Sequence, residues 1–321
     1  MNTKKRILIT GAAGFIGSNL INSLLQSDNV QVIGLDNFDD FYSREQKEKN
    51  MSAFISNSNF SFIEGDVRNM NDLLALSEID VIVHLAAKAG VRTSIKNPIL
   101  FQDVNVSGTQ NLLELARQRN IKQFVFASSS SVYGINQNVP WHEEEKLMPI
   151  SPYASTKLSC EMLGHVYHHL YGIRFLALRF FTVYGPAQRP DLAIHKFFSS
   201  ISKGLAIPVF GDGSTSRDYT FVDDTVQGIK SAIGYDKSDF EIINLGNHQT
   251  VTLSKLILAI ENICGKKAII DRQPEQAGDV PQTYADISKA QKLLNYHPET
   301  KLETGLLKFY EWYKNQNAVS E

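Results

Sequence analysis

The stretch ILITGAAGFIGSNL, residues 7–20, decides how the chain is read. Four residues rich in β-branched side chains run into Gly11, Gly14 and Gly17, and an apolar-periodic segment follows. That order predicts a strand, a tight turn and a helix. The glycines permit the turn. They also let backbone N–H groups approach an anion at the helix N-terminus, where the helix dipole favours negative charge. The spacing is G-x-x-G-x-x-G rather than the commoner G-x-G-x-x-G dinucleotide fingerprint, but the physics is shared. Asp36 closes the next apolar run, 19 residues beyond Gly17. A carboxylate there accepts hydrogen bonds from an adenosine ribose diol and repels a 2′-phosphate, which favours NAD over NADP. The plain alternative is a glycine turn with a solvated aspartate. Agreement of strand, helix, acid and first-strand position argues against it.

Outward from this motif, short apolar runs alternate with helical patterns. RILIT (6–10), VQVIGLD (30–36), FSFIEGD (60–66), VIVHLA (81–86) and QFVFASS (123–129) read as buried strands, with IRFLALRF (173–180) a sixth and FEIINLG (240–246) a seventh. Strand–helix alternation implies right-handed crossovers and a parallel sheet. After residue 180 Pro and Gly concentrate in VYGPAQRP (183–190), IPVFGDG (207–213) and QPEQAGDVPQ (273–282), between helical patterns at about 191–203, 253–264, 286–294 and 302–314. The expected architecture is α/β. A Rossmann-type doubly wound parallel sheet over 1–180, with return segments near 223–246, carries a smaller C-terminal α/β substrate lobe over 181–321. The tail NQNAVSE (315–321) reads as frayed.

Composition narrows the function classes. With 321 residues, 43% of them hydrophobic, the chain can build a substantial core. A formal charge of −2 and the lack of a long basic run argue against nucleic acid. Cys160 and Cys264 are too few for a disulfide framework and lack metal-site spacing, so no metal is expected. No apolar run has the length of a signal-peptide core or a membrane span, so the expectation is a cytoplasmic protein without a membrane partner.

The heptapeptide SPYASTK (151–157) sets Tyr153 and Lys157 on one helix face. Out of context this is an ordinary helical pair. The strand-end run ASSSSVYG (127–134) changes its weight, because it brings hydroxyls to the sheet edge where ligands bind. A tyrosine titrates near ~10 and is a poor base at neutral pH. A neighbouring lysine and a nicotinium cation both favour its phenolate. His84, inside an apolar strand, reads as a packed histidine, and Asp66 as a turn residue able to meet an adenine edge.

The motifs TGAAGFIG, LDNFDDFY, HLAA, SSSSVYG, YASTK, RFFTVYGP, GDGSTSRDYTFVDD and GDVPQTYAD resemble the extended short-chain dehydrogenase/reductases, specifically the nucleotide-sugar epimerases, from residue 10 to residue 286. By this resemblance the catalytic set is Tyr153, Lys157, Ser129 and an adjacent helper, Ser130. The cofactor is NAD. Its expected contacts include Phe15 and Ile16 in the cradle, Asn37 beside Asp36, and Val67 after Asp66. Leu85, Ala86, Ala87 and Lys88 in HLAAKAG, with Asn105, Phe180 and Val183, complete them. A homodimer through the helices near 104–119 and 154–172 is also implied.

Related dehydratases carry an Asp-Glu pair where this chain has Ser130 and Ser131. Expelling a C6 hydroxyl needs a carboxyl acid and removing the C5 proton needs a base; serine does neither well. The expectation is therefore redox at C4 alone, through a transient 4-keto sugar. Arg217 suits a diphosphate, and PVF (208–210), with Val209 and Phe210, offers flat surface to a uracil. Thr182 and Arg189 in RFFTVYGPAQRPDLA (179–193), Arg92 in AGVRTS and Asp279 in AGDVPQTYAD resemble UDP-glucuronate 4-epimerases. Uncharged-hexose epimerases usually have Asn at the position of Thr182 and often Arg at that of Gln276. Ala187 and Gln188 are expected at the pocket rim. Salt bridges are the plain reading of Arg189 and Arg217. Two rivals stay open: a UDP-glucose or UDP-N-acetylglucosamine 4-epimerase, and a non-catalytic NAD-binding sensor.

Overall fold

In the computed structural model, which describes residues 4–276 and 278–318, twelve strands lie among the described residues. They are β1 (Lys5–Thr10), β2 (Val30–Asp36), β3 (Phe60–Glu64), β4 (Val81–His84), β5 (Gln123–Ser129), β6 (Arg174–Phe180), β7 (Thr182–Tyr184), β8 (Ala206–Phe210), β9 (Ser216–Phe221), β10 (Phe240–Leu245), β11 (Thr250–Thr252) and β12 (Ile269–Gln273). Seven form one sheet in the order β10-β6-β5-β4-β1-β2-β3, and every pair in it is parallel.

Parallel strands covered on both faces need apolar residues at successive positions, and this explains the unbroken runs in the sequence. Alternate side chains feed two separate cores. Ile7 and Ile9 of β1, Val125 of β5 and Leu176 and Leu178 of β6 join one. Leu8, Phe124, Phe126, Phe175 and Ala177 join the other. Fully burying each large side chain contributes about 1.5–3 kcal/mol, so a one-residue slip in any central strand would exchange two cores at once.

The strand order reverses at β1 and β4, opening a crevice at their carboxyl ends. Beyond the main sheet, β7 and β9 pair in parallel, β9 and β11 antiparallel, and β8 and β12 in parallel. In the Pro- and Gly-rich stretch IPVFGDG the first four residues belong to β8, whose Pro208 is tolerated in a two-stranded edge. The helix expected near 104–119 is interrupted: Gln102–Ser107 is wound as a π-helix before Gly108–Gln118. The tail differs too. Residues 315–318 continue the helix Leu302–Ala318, and 319–321 lie outside the described residues. No described helix is long and apolar enough to cross a membrane.

Candidate active site

A cleft of about 400 Å³ opens at the strand-order reversal, within the range of small-molecule sites. Its floor is the glycine turn. Gly11 has φ +72°, and a Cβ there would lie 2.9 Å from Ala86 N; a Cβ on Gly17 would lie 2.1 Å from Gly11 O. The turn therefore brings the end of β1 against the chain leaving β4 with no room for a side chain. The helix Phe15–Leu24 starts at Gly14 with no side-chain cap and no acid in its first turn. Its N-terminal amides, beside Gly11, Gly14, Phe15, Ile16 and Gly17 in the cleft lining, form an anion cradle.

Asp36 lies at the other end of this floor. Its carboxylate accepts from Ala13 N at 3.1 Å and Phe38 N at 2.9 Å. Burial pushes its pKa up, and Lys47, 3.7 Å away, pulls it back. Lys47 also donates to Asp39 O at 2.8 Å, and Lys88 pairs with Asp39 at 2.7 Å. Segment 37–42 is thus pinned across the cleft. Sequence reasoning missed Asp39, Phe41, Tyr42 and Lys47 in the lining. The helix Arg44–Met51, REQKEKNM, is polar nearly throughout and gave no periodic signal. Asn37 and Asp66 meet by a 3.0 Å hydrogen bond. Hydrogen bonds from Arg68 hold the Asp66 carboxyl down to about 2, so it stays ionised.

Val67, Leu85, Ala86, Ala87, Lys88, Phe180 and Val183 line the cleft. Asn105 does not. It is buried behind the wall, bonded to Lys88 N, Lys88 O and Thr156 Oγ1 at 2.8, 3.0 and 3.0 Å. It braces Lys88 against the helix Pro152–Tyr171. His84 is the packed residue foreseen, held by Thr10 and Thr109 at 2.7 and 3.0 Å, with burial lowering its pKa to about 3.

Ser129, Tyr153 and Lys157 meet in the cleft. Tyr153 and Lys157 come from the helix Pro152–Tyr171, which Ser151 caps through Ala154 N. Ser129 ends β5. The relation between Tyr153 and Lys157 differs from the sequence reading. Burial pushes the Tyr153 hydroxyl up, and the groups pulling it back are the Ser129 hydroxyl and the Arg189 cation. Lys157 donates to Ala127 O at 2.7 Å instead. A buried ammonium must find an acceptor, and that carbonyl is within reach. Burial lowers Lys157 to about 8, against the raising influence of Cys160 and Glu161. Ser130 is absent from the cleft lining. The hydroxyl that bonds Ser129 is that of Ser131, at 2.9 Å, because the chain turns into a short 3-10 helix.

Thr182 and Arg189 line the same cleft. Arg92, Phe210, Arg217 and Asp279 gather in a second cluster outside it. Arg92 donates to Asp279 at 2.7 Å and stacks on Phe210, its guanidinium carbon 4.3 Å from the ring centroid. Arg217 donates to Ser216 O at 2.8 Å, and its pKa is lowered, by burial first and by Arg92 as well. Val209 faces the other way: strand alternation turns it into the core, 2% exposed, and leaves Phe210 as the accessible flat surface. Ala187 and Gln188 are likewise buried rather than at the rim. No cluster of three or more metal-ligating side chains occurs among the described residues.

The model of the family described as GDP-mannose 4,6 dehydratase matches residues 8–309. An uncharacterized protein of Methanocaldococcus jannaschii is 47% identical over 314 residues, 96% of each chain. A UDP-glucuronate 4-epimerase of Thermodesulfobacterium geofontis is 41% identical over 312 residues, 96% of this chain and 95% of that protein. The structure of UDP-glucuronic acid 4-epimerase from Bacillus cereus, in complex with UDP-glucuronic acid and NAD, superposes with a TM-score of 0.92 at 40% identity, covering 97% of this chain and 99% of that one. On this likeness, the chain belongs to the GDP-mannose 4,6-dehydratase family, alongside its UDP-glucuronate 4-epimerases.

Proposed function

We propose that this protein is an NAD-dependent UDP-sugar 4-epimerase whose substrate is UDP-glucuronate and whose product is UDP-galacturonate. One observation carries the choice of sugar: Arg189 and Thr182 line the same cleft as Ser129 and Tyr153, so a carboxylate-binding cation stands beside the acid–base group. The cradle at Gly11–Gly17 and the Asp36 carboxylate suit an NAD pyrophosphate and adenosine ribose. NAD, when bound, supplies the redox partner for C4.

The chain's own residues do the rest. Tyr153 takes the C4 hydroxyl proton and later returns one. Ser129 hydrogen-bonds the same oxygen, held in place by Ser131. Lys157, anchored on Ala127 O, brings positive charge to the base of the site. The 4-keto sugar turns between the two half-reactions, so its opposite face meets the cofactor. Arg189 and Thr182 hold the carboxylate close to the ring plane. This matters because a 4-keto uronate is a β-keto acid, and its carboxyl bond breaks when aligned with the ketone π system. Phe210, Arg217 and Asp279, from a substrate lobe drawn from residues 181–321, receive the uridine diphosphate together with Arg92 from the first lobe.

The test is incubation of purified protein with UDP-glucuronate and no added NAD. UDP-galacturonate is the expected product. A pentose product, or turnover of UDP-glucose with none of UDP-glucuronate, would sink the reading.

A homodimer is part of the proposal. On the helix Pro152–Tyr171, Met162, Val166 and Leu170 are 50%, 45% and 60% exposed at four-residue spacing, an apolar stripe suited to a second copy. Light scattering should give twice the chain mass, and Met162→Glu should halve it; a wild-type monomer would contradict the stripe's role.

A further inference from the structure

At the sugar end of the cleft, Arg189 is already held by a carboxylate. Its Nε donates to Asp191 Oδ1 at 2.9 Å and its Nη2 to Oδ2 at 2.9 Å. This is a two-point fork with side chains only 18% and 33% exposed. The sequence R-P-D builds it locally. Leu192 N donates to Arg189 O at 3.3 Å, closing a turn whose second position is Pro190, where a fixed φ pre-sets the bend. Phe41 flanks the guanidinium, 5.0 Å from ring centroid to carbon. The fork uses the Nε edge. The Nη1 group makes no hydrogen bond among the described residues, so the end-on edge remains for a ligand.

We propose that Asp191 is a positioning residue for recognition of the substrate carboxylate: it grips Arg189 by its Nε edge and presents the Nη1 edge to the sugar. The inference rests on the uronate reading above and adds to it a residue that never touches the substrate. A guanidinium carries two usable bidentate edges, so one carboxylate can aim it while a second is bound. Without Asp191 the side chain keeps its charge but loses its fixed direction. The substrate's carboxylate then has to order Arg189 as it binds. The loss falls on binding, because Arg189 keeps its charge beside Tyr153, and the side-chain groups acting on the Tyr153 hydroxyl are Ser129 and Arg189 rather than Asp191.

The experiment uses the full chain with its bound cofactor and compares wild type, Asp191→Asn and Asp191→Glu. Asp191→Asn is expected to raise KM for UDP-glucuronate about tenfold, with kcat within about twofold. UDP-glucose serves as a probe without a carboxylate, and its inhibition constant should not move. Asp191→Glu should recover part of the KM loss. An unchanged KM overturns the proposal. A lowered KM overturns it too, because Asp191 would then be a competitor for Arg189 rather than its support. Parallel weakening of UDP-glucose inhibition overturns it as general damage to the site. If wild type ignores UDP-glucuronate, the substrate reading fails along with this inference; if only Asp191→Asn behaves as wild type, the substrate reading stands.

Discussion

Tyr153→Phe should lower turnover of UDP-glucuronate by roughly 10³–10⁴-fold, toward the upper end of what one acid–base group contributes, while the substrate dissociation constant moves by less than about threefold. The aromatic ring is kept, so the cleft wall and the edge contact with Phe101, 6.3 Å between centroids, survive. What disappears is the hydroxyl proposed to take the C4 proton. Ser129 cannot replace it, because its oxygen already accepts from Ser131 N and Ser131 Oγ and an ordinary serine hydroxyl is a far poorer base. The structure makes the demand on Tyr153 severe. Burial raises its pKa, so the free hydroxyl stays protonated at neutral pH. The groups that pull it down are the Ser129 hydroxyl and the Arg189 cation, and a bound nicotinium adds positive charge. Single-turnover rates together with equilibrium binding check this. A rate within tenfold of wild type would remove Tyr153 from the proton path.

Arg189→Ala should lower kcat/KM for UDP-glucuronate by roughly 10- to 100-fold, the cost of losing charge-assisted hydrogen bonds to one carboxylate. It should also change the product. With the carboxylate unrestrained, the 4-keto uronate can rotate its carboxyl bond into line with the ketone, and part of each turnover should end as CO₂ and a 4-ketopentose. UDP-glucose, which has no carboxylate, should inhibit the variant as well as it inhibits wild type. Product separation with CO₂ trapping reads both effects. Unchanged uronate turnover would mean that Arg189 only holds Asp191 and the turn around it.

The main sheet was legible because its signal is dense. Residues such as Ile7, Leu8 and Ile9 must be apolar in succession when a parallel strand is covered on both faces, and the glycine turn at 11–17 marks where the order reverses. Helical spacing pairs Tyr153 with Lys157 and the strand end supplies a run of hydroxyls, while the choice of Ser129 within that run came from the family resemblance. Their contacts had no such signal. Which acceptor Lys157 takes depends on Ala127, 30 residues away, and which serine supports Ser129 depends on a short 3-10 helix. Long-range partners were also hidden: Arg92 and Asp279 are 187 positions apart. Val209 was misread because a Pro/Gly-rich stretch concealed the alternation of β8. Segment 37–42 entered the sequence reading only as a motif, and its folding across the cleft rests on Lys47 and Lys88, whose pairing with Asp39 has no local pattern.

The central claim is that one site both oxidises and re-reduces C4 of a uronate without exchanging material with solvent. UDP-glucuronate deuterated at C4 tests it most directly. The expected product is UDP-galacturonate that keeps the deuterium at C4 and its carboxyl carbon at C6. Product with hydrogen from solvent at C4, or product lacking C6, would contradict it.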